Sequence, residues 1–285
     1  MNMKNKVAII GAGQVGSTLA YTLYNLNMCD ILLLNHNKQK AVSNVIDIMD
    51  CSVISKRGSI KYGTYKDLDD VDIIVNCAGN SSLLKICDRN GELENSKRIA
   101  QDILNNINAT NFKGIFINVM NPCDDITYIF RDLNLPYNHI IGTGTSLETC
   151  RLRSLTYSIY HNITESYVIG KHGDFNDIVC KDVLLDINSD ILDNMMRLVK
   201  QRVWNIYSGK GYTNFGICNI LIEIITNIIY DTGTIMCLST LYGDLYTIFN
   251  QAVSLPCRLG KDGITEVVFD KDAKIVIDKL YGGES

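Results

Sequence analysis

One short apolar strand and the glycine-rich turn that follows it constrain this chain more than any other feature. Val7 to Ile10 is apolar throughout, which is typical of a strand buried on both faces of a sheet. Gly11, Gly13 and Gly16 then follow in the spacing G-x-G-x-x-G. The first glycine permits a tight turn, the second lets a pyrophosphate approach the backbone, and the third lets the next helix pack on the strand. The stretch therefore predicts a dinucleotide-binding turn.

The elements around the turn support this interpretation. A helix is predicted from Gln14 to Asn25, and its first N–H groups, those of Gln14 and Val15, would face the phosphates. A second strand is predicted at Ile31–Leu34. The alternative is a glycine-rich turn in some other α/β domain, and the order strand, turn, helix and strand favours the dinucleotide site.

Composition excludes several classes of partner. The 285 residues are enough for one large domain or two ordinary ones, and the net charge of −4 comes with no basic run. We therefore expect no nucleic-acid or membrane partner. The ten cysteines are scattered without a C-x-x-C, which indicates reduced thiols and a cytoplasmic location. We expect no signal peptide, no membrane span and no metal site.

The first half alternates strands with helices, which predicts a doubly wound parallel (Rossmann) sheet. Predicted strands lie at Val7–Ile10, Ile31–Leu34, Asp72–Cys77, Ile115–Val119 and His139–Ile141. Predicted helices lie at Gln14–Asn25, Gln39–Met49, Glu92–Asn108 and Asp124–Asp132. Ligands on such sheets bind at the carboxyl ends of the strands, where Ala78-Gly79 and Asn121-Pro122 are placed here.

The pattern changes after Thr145, so we predict a dinucleotide-binding domain at 1–142 and a mixed α+β substrate domain at 143–285. Helices are predicted at Leu147–Tyr160, Ser189–Tyr207, Phe215–Tyr230 and Lys271–Leu280. Strands are predicted at Tyr167–Ile169, Thr234–Tyr242, Thr247–Leu255 and Ile264–Val268, the last three of them antiparallel.

Five polar residues are predicted to meet between the two domains: Arg89, Asn121, Glu148, Arg151 and His172. A histidine with a carboxylate partner is a general acid/base whose tautomer is fixed. One arginine can hold a substrate carboxylate through two parallel hydrogen bonds, and a second can polarise a carbonyl. Glu148 and Arg151 could instead form an ordinary ion pair on a helix surface. Beside a dinucleotide site, the set points to hydride transfer between NAD and a 2-hydroxy acid.

Over nearly its whole length the chain resembles the L-lactate/malate dehydrogenase family, and within it the L-2-hydroxyisocaproate dehydrogenase branch most. The stretches that carry the resemblance include Gly11–Gly16, Val71–Gly79, Asn121–Asp124, Ile141–Thr145, Gly170–Asp174 and Gly209–Thr213. The resemblance implies that His172 gives and takes the proton and that Glu148 orients it. It also implies that Arg151 clamps the substrate carboxylate and that Arg89 closes over the carbonyl. Further substrate and cofactor positions that it implies are Asn121, Thr213, Ala78 and Gly79.

The chain departs from the family pattern at two of these sites. Asn35 stands where most NAD-binding members have an Asp for the adenosine ribose. An amide still hydrogen-bonds a hydroxyl but does not repel a 2′-phosphate, so NAD is the expected cofactor and NADP stays open. Glu148 replaces the usual Asp beside the histidine, and its longer side chain must fold back to reach the ring.

The loop after Gly79 predicts the substrate class. The family reads the substrate side chain at the third residue after that glycine, which is Ser82 here, followed by Leu83 and Leu84. No arginine lies between Gly79 and Arg89 to pair a second carboxylate, and Leu83 offers apolar surface. We therefore expect a 2-oxo acid with an apolar side chain. Malate dehydrogenase, with Lys85 as the second cation, and a non-catalytic dinucleotide-binding relative are the alternatives.

By resemblance we expect a homodimer or homotetramer.

Overall fold

A computed structural model describes residues 5–50, 52–54, 58–79, 89–160, 166–172, 177–180, 189–241 and 251–268. At 89–92, 159–160, 177–180 and 189–192 it describes the backbone alone. The predicted closing helix Lys271–Leu280 and the loop with Ser82, Leu83, Leu84 and Lys85 lie outside the described residues, as does Asp174.

The first half forms a parallel sheet. Its strands are β1 (Lys6–Ile10), β2 (Asp30–Leu34), β3 (Ser59–Tyr62), β4 (Ile73–Asn76), β5 (Ile115–Asn118) and β6 (Ile140–Gly142). Its helices are α1 (Gln14–Leu26), α2 (Lys38–Met49), α3 (Arg89–Asn108) and α4 (Cys123–Ile129). The strand order β3-β2-β1-β4-β5-β6 confirms the doubly wound prediction. The order reverses between β1 and β4, and the crevice there is where such sheets bind ligands.

The second half extends this sheet and adds a small one. Its elements are α5 (Ser146–Tyr160), β7 (Ser166–Ile169), β8 (Asp177–Cys180), α6 (Ser189–Lys210), α7 (Phe215–Tyr230), β9 (Ile235–Thr240), β10 (Val253–Gly260) and β11 (Gly263–Val267). Strand β9 pairs antiparallel with β6, so β9, β10 and β11 continue the parallel sheet to nine strands. Strands β7 and β8 form a separate antiparallel pair.

Core residues lie on both faces of the large sheet. Val7 and Ile9 of β1 pack on one face with α1 and α7, whereas Ala8 and Ile10 pack on the other with α3. Because both faces are covered, β1 is apolar at successive positions and does not alternate. Helix α7 is the most apolar helix, and its Leu221 is fully buried. Because helices pack on both faces of β1, the glycine turn is held in place at the carboxyl end of that strand.

Several elements differ from the sequence prediction. The strand predicted at Thr247–Leu255 overlaps β10 only in part, since β10 runs from Val253 to Gly260, and residues 247–250 lie outside the described residues. Helix α6 was predicted to end at Tyr207, but it continues to Lys210, and Gly211 ends it at φ +78°. Strand β3 was not predicted because it is a short edge strand in which Ile60 alone is buried.

We also searched the helices that the structure describes for membrane spans. None of them alone is long and apolar enough to cross a membrane. Residues 193–210 and α7 pass the length and composition criteria only as a pair, which is bent by 116°.

Candidate active site

The glycine turn has the close packing that its sequence predicts. Gly11 has φ +108°, a backbone conformation that favours glycine. A Cβ on Gly16 would lie 1.8 Å from the carbonyl oxygen of Gly11, so any larger residue would push α1 off the strand. A Cβ on Gly13 would meet nothing within 4 Å among the described atoms, which leaves the backbone approachable there.

The start of α1 suits an anion. Gly13 is the N-cap, no side chain caps the helix, and its first turn has no acidic residue. The N–H groups at such a helix start attract phosphate through hydrogen bonding and the helix dipole. A diphosphate group therefore fits between the turn and the N–H groups of Gln14 and Val15.

Asn35 lies behind the turn, at the end of β2. Its side-chain Oδ1 accepts a hydrogen bond from the backbone N–H of Ala12 at 3.1 Å, and its Nδ2 donates to the carbonyl of Asn37 at 3.0 Å. Asn37 in turn caps α2 through Lys40 N–H at 3.1 Å. The amide of Asn35 thus links the glycine turn to the start of α2, beside the predicted ribose position.

A cavity of about 580 Å³ joins the glycine turn to the second half of the chain. Most of the residues predicted from sequence line this cavity: Gly13, Gln14, Val15, Ala78, Gly79, Asn121, Glu148, Arg151, His172 and Thr213. Gly11 and Gly16 are buried beneath it. Arg89 is the first residue of α3, where only the backbone is described, and Leu83 lies outside the described residues.

Glu148 connects two further side chains of the cavity, those of His172 and Arg151. It is 3% exposed, its Oε2 lies 3.5 Å from Nδ1 of His172, and its Oε1 accepts from Nη1 of Arg151 at 3.4 Å. Glu148 and Arg151 lie one turn apart on α5, which explains why both reach the same cavity. The side chain of Glu148 is longer than that of Asp by one methylene group, and its carboxylate still lies beside the imidazole ring.

The charges in this group change the protonation of His172. Burial lowers its pKa, but the neighbouring carboxylates, Glu148 foremost and Asp124 after it, together outweigh burial and raise the pKa to about 9. Burial works against the charge of Glu148 as well, yet His172 and Arg151 hold the pKa of that carboxyl below its usual range. His172 is consequently an imidazolium at neutral pH and can donate a proton.

The backbone at His172 is held by contacts that the sequence analysis did not identify. Gly170 and Ser254 exchange two backbone hydrogen bonds of 3.0 Å, which dock the end of β7 on β10. The N–H of His172 donates to Oδ2 of Asp124 at 2.6 Å, and Ser254 Oγ donates to Oδ1 of the same carboxylate at 2.9 Å. Asp124 lies two residues after Pro122, in the segment that follows the β5 strand end, and that position was the signal that could have identified it.

Helix α6 supplies a cavity wall that was also missed. Lys200, Val203, Trp204 and Tyr207 all line the cavity. Their spacing of three and four residues places them on one helix face, which is the sequence signal for a shared surface. Trp204 is 68% exposed, which is unusual for a tryptophan unless it borders a binding site.

Both halves of the chain match models of known protein families. Residues 5–142 match the model for the lactate/malate dehydrogenase NAD binding domain, and 145–273 match that for the alpha/beta C-terminal domain of the same family. L-lactate dehydrogenase 3 of Bacillus cereus is 32% identical over 283 residues, covering 92% of this chain and 89% of that protein.

Solved structures show the same architecture. A lactate dehydrogenase enzyme from a Medee basin deep-sea metagenome library matches with a TM-score of 0.83 and 28% identity over 98% of both chains. Cryptosporidium parvum malate dehydrogenase matches with a TM-score of 0.83 at 20% identity, over 98% of this chain and 96% of that one, which supports the fold alone. With both family models matched in sequence order across the glycine turn and the His172 site, this chain belongs to the lactate/malate dehydrogenase family of NAD-binding oxidoreductases.

Proposed function

We propose that this protein is an NAD-dependent L-2-hydroxy acid dehydrogenase. The observation that carries the proposal is the pair of half-buried His172 and buried Glu148, which faces the same cavity as the glycine turn. A proton donor and a dinucleotide site that share one cavity are what hydride reduction of a carbonyl requires.

The chain's own residues divide the work of the reaction. The bound nicotinamide supplies or accepts the hydride. His172 gives a proton to the carbonyl oxygen of the 2-oxo acid, or takes it from the hydroxyl in the reverse direction. Glu148 stabilises the imidazolium and holds the ring in place. Arg151, which lines the cavity, binds the substrate carboxylate through its guanidinium.

The walls of the cavity support a substrate with an apolar side chain. Val203, Trp204, Tyr207 and Ile217 present apolar surface to the cavity. Each CH₂ group buried there would contribute up to ~0.8 kcal/mol, which favours a substrate such as 2-oxoisocaproate over pyruvate. One observation supports the malate dehydrogenase alternative. Lys200 lines the same cavity, and its ammonium group could pair with the second carboxylate of oxaloacetate. That candidate predicts oxaloacetate as the best substrate.

For the cofactor, we propose NAD, with NADP as the open alternative. The amide of Asn35 can hydrogen-bond a ribose hydroxyl, but it lacks the negative charge that would repel a 2′-phosphate. Both of its polar atoms have partners in the chain, so its donors and acceptor are only partly available to the ribose.

We further propose that the protein is a cytoplasmic homodimer or homotetramer. Ile46 and Met49 on α2, with Val53 and Ile54 after it, are exposed apolar side chains that a second copy would cover. The seven described cysteines are free thiols, which supports a reducing compartment. Light scattering of the purified protein should give two or four times the monomer mass, and a strictly monomeric protein at assay concentration would exclude this assembly.

The experiment for the activity is a panel of 2-oxo acids tested with NADH and with NADPH. We expect NADH oxidation to depend on the 2-oxo acid and to be fastest with 2-oxoisocaproate. His172→Ala should lose activity by roughly 100-fold or more while NADH still binds, because the glycine turn is untouched. Oxaloacetate as the best substrate would favour the malate dehydrogenase alternative. NADH binding without turnover on any acid would indicate the non-catalytic relative.

A further inference from the structure

Asp124 is a buried carboxylate whose contacts converge on the proposed acid/base. It is 3% exposed and lies in the first turn of α4. Both of its oxygens accept hydrogen bonds, from the N–H of His172 and from Ser254 Oγ. Burial raises the pKa of Asp124, whereas the charge of His172 and the hydrogen bonds from its N–H and from Ser254 lower it and so stabilise the carboxylate. A buried carboxylate costs free energy unless it is well paired in this way, so its position implies a compensating role.

The charged groups around His172 come from two helices. Glu148 lies beside the imidazole and Arg151 beside Glu148, both on α5, whereas Asp124 of α4 contacts the backbone N–H of His172. Glu148 and Asp124 favour the protonated ring, whereas Arg151 and burial oppose it. Lys171, the preceding residue, is paired with Asp125 at 3.0 Å. His172 therefore contacts carboxylates of two different helices, that of Glu148 through its ring and that of Asp124 through its backbone N–H.

We propose that Asp124 is a positioning residue for His172, whose carboxylate anchors the His172 backbone to Ser254 and places a second negative charge near the imidazole. The proposal rests on the proposed function, because it is through His172 that Asp124 would act. It separates into an anchoring part, which needs a hydrogen-bond acceptor, and an electrostatic part, which needs the charge.

Two substitutions separate these parts. Asp124→Asn keeps the volume and an acceptor for the His172 N–H, and its NH₂ group can donate to the Ser254 oxygen, so only the charge is lost. Asp124→Ala removes both hydrogen bonds. Asp125→Asn is the matched control, because Asp125 is the adjacent residue and pairs with Lys171 through a half-buried contact.

The main readout is the titration of His172 by NMR in the protein without cofactor, which needs no turnover. The chain has four histidines, and the spectrum of His172→Ala assigns the resonance. In Asp124→Asn we expect the pKa of His172 to fall by roughly 0.5–1 unit, whereas Asp125→Asn should leave it unchanged. An unchanged titration in Asp124→Asn would overturn the electrostatic part.

The anchoring part is tested by the kinetics of Asp124→Ala. We expect kcat to fall about tenfold or more with the KM for NADH nearly unchanged, because a misplaced acid affects the chemical step and not the cofactor. A kcat within twofold of the original would overturn the anchoring role. If Asp124→Ala does not fold, Ser254→Ala, which removes the Ser254 Oγ hydrogen bond to Asp124, replaces it in the same kinetics, and a kcat within twofold of the original again overturns the anchoring role. If the original protein shows no turnover, the proposed function fails, while the titration still reports on the contact with His172.

Discussion

Replacing Glu148 by Gln removes the charge that keeps His172 protonated, and the effect can be worked out from the site. The Glu148 carboxylate, 3.5 Å from Nδ1, is the main group that raises the pKa of His172 from its ordinary 6.5 to about 9. Since each pKa unit is worth about 1.4 kcal/mol, that rise corresponds to roughly 3 kcal/mol of stabilisation of the protonated ring. Without the carboxylate, burial lowers the pKa, and we expect a value at or below about 6.5.

This change in pKa predicts a pH-dependent loss of activity. Reduction of a 2-oxo acid needs the protonated ring, so activity falls as pH rises through the pKa of His172. Near pH 7.5 the original protein would be about 97% protonated at this site and Glu148→Gln at most about 9%, which gives an approximately tenfold loss of kcat/KM from protonation alone. Near pH 5.5 that part of the loss should disappear.

The assay is the pH profile of kcat/KM for reduction of the best 2-oxo acid. Glu148→Asp is the control, because it keeps the charge and restores the residue usual in the family, so its alkaline limb should stay well above that of Glu148→Gln. If the alkaline limb of Glu148→Gln stayed near pH 9, Glu148 would not be the group that sets the protonation of His172.

The remaining predictions concern the turn, the substrate clamp, the ribose and the α6 wall. Gly16→Ala should lower the free energy of unfolding by ~1–3 kcal/mol or more, because its Cβ would lie 1.8 Å from a carbonyl oxygen. Thermal denaturation measures this loss. Gly209→Ala is the control, since a Cβ there would meet nothing within 4 Å among the described atoms. Arg151→Lys keeps the charge but loses the bidentate fork, so the KM for the 2-oxo acid should rise strongly, and an unchanged KM would reduce Arg151 to a structural ion pair. Asn35→Asp should increase the ratio of kcat/KM for NADH to that for NADPH, and an unaltered ratio would mean that this side chain does not face the ribose. Trp204→Ala should weaken 2-oxoisocaproate more than pyruvate in kcat/KM, and equal losses for both acids would remove Trp204 from the substrate pocket.

The parts of the fold that local sequence determines were predictable. Strand β1, the glycine turn and α1 depend on neighbouring residues, and the predicted strand and helix agree with the structure to within one residue at each end. The limits of β10 were not predictable, because that strand pairs with β9 and β11 and those partners decide where it begins and ends. An apolar run alone cannot show where such pairing stops.

The residues of the site likewise divide into those that the sequence could predict and those that it could not. Glu148 and Arg151 could be placed together because they lie three residues apart on one helix. The contact of Asp124 with His172 joins residues 48 apart in sequence, and that with Ser254 joins residues 130 apart. No periodicity or spacing links such positions, so only the folded chain brings them together. The α6 wall had a helical spacing, but nothing in the sequence indicated which face met the cavity.

The central claim is that hydride moves directly between a nicotinamide cofactor and C2 of a 2-oxo acid while His172 supplies the proton. The measurement that tests it most directly uses NADH carrying deuterium at both C4 positions, with mass spectrometry and chiral analysis of the product. We expect one deuterium at C2 of the L-2-hydroxy acid, and no measurable product from His172→Ala over the same time. Unlabelled product, product of the D configuration, or equal product from His172→Ala would contradict the account.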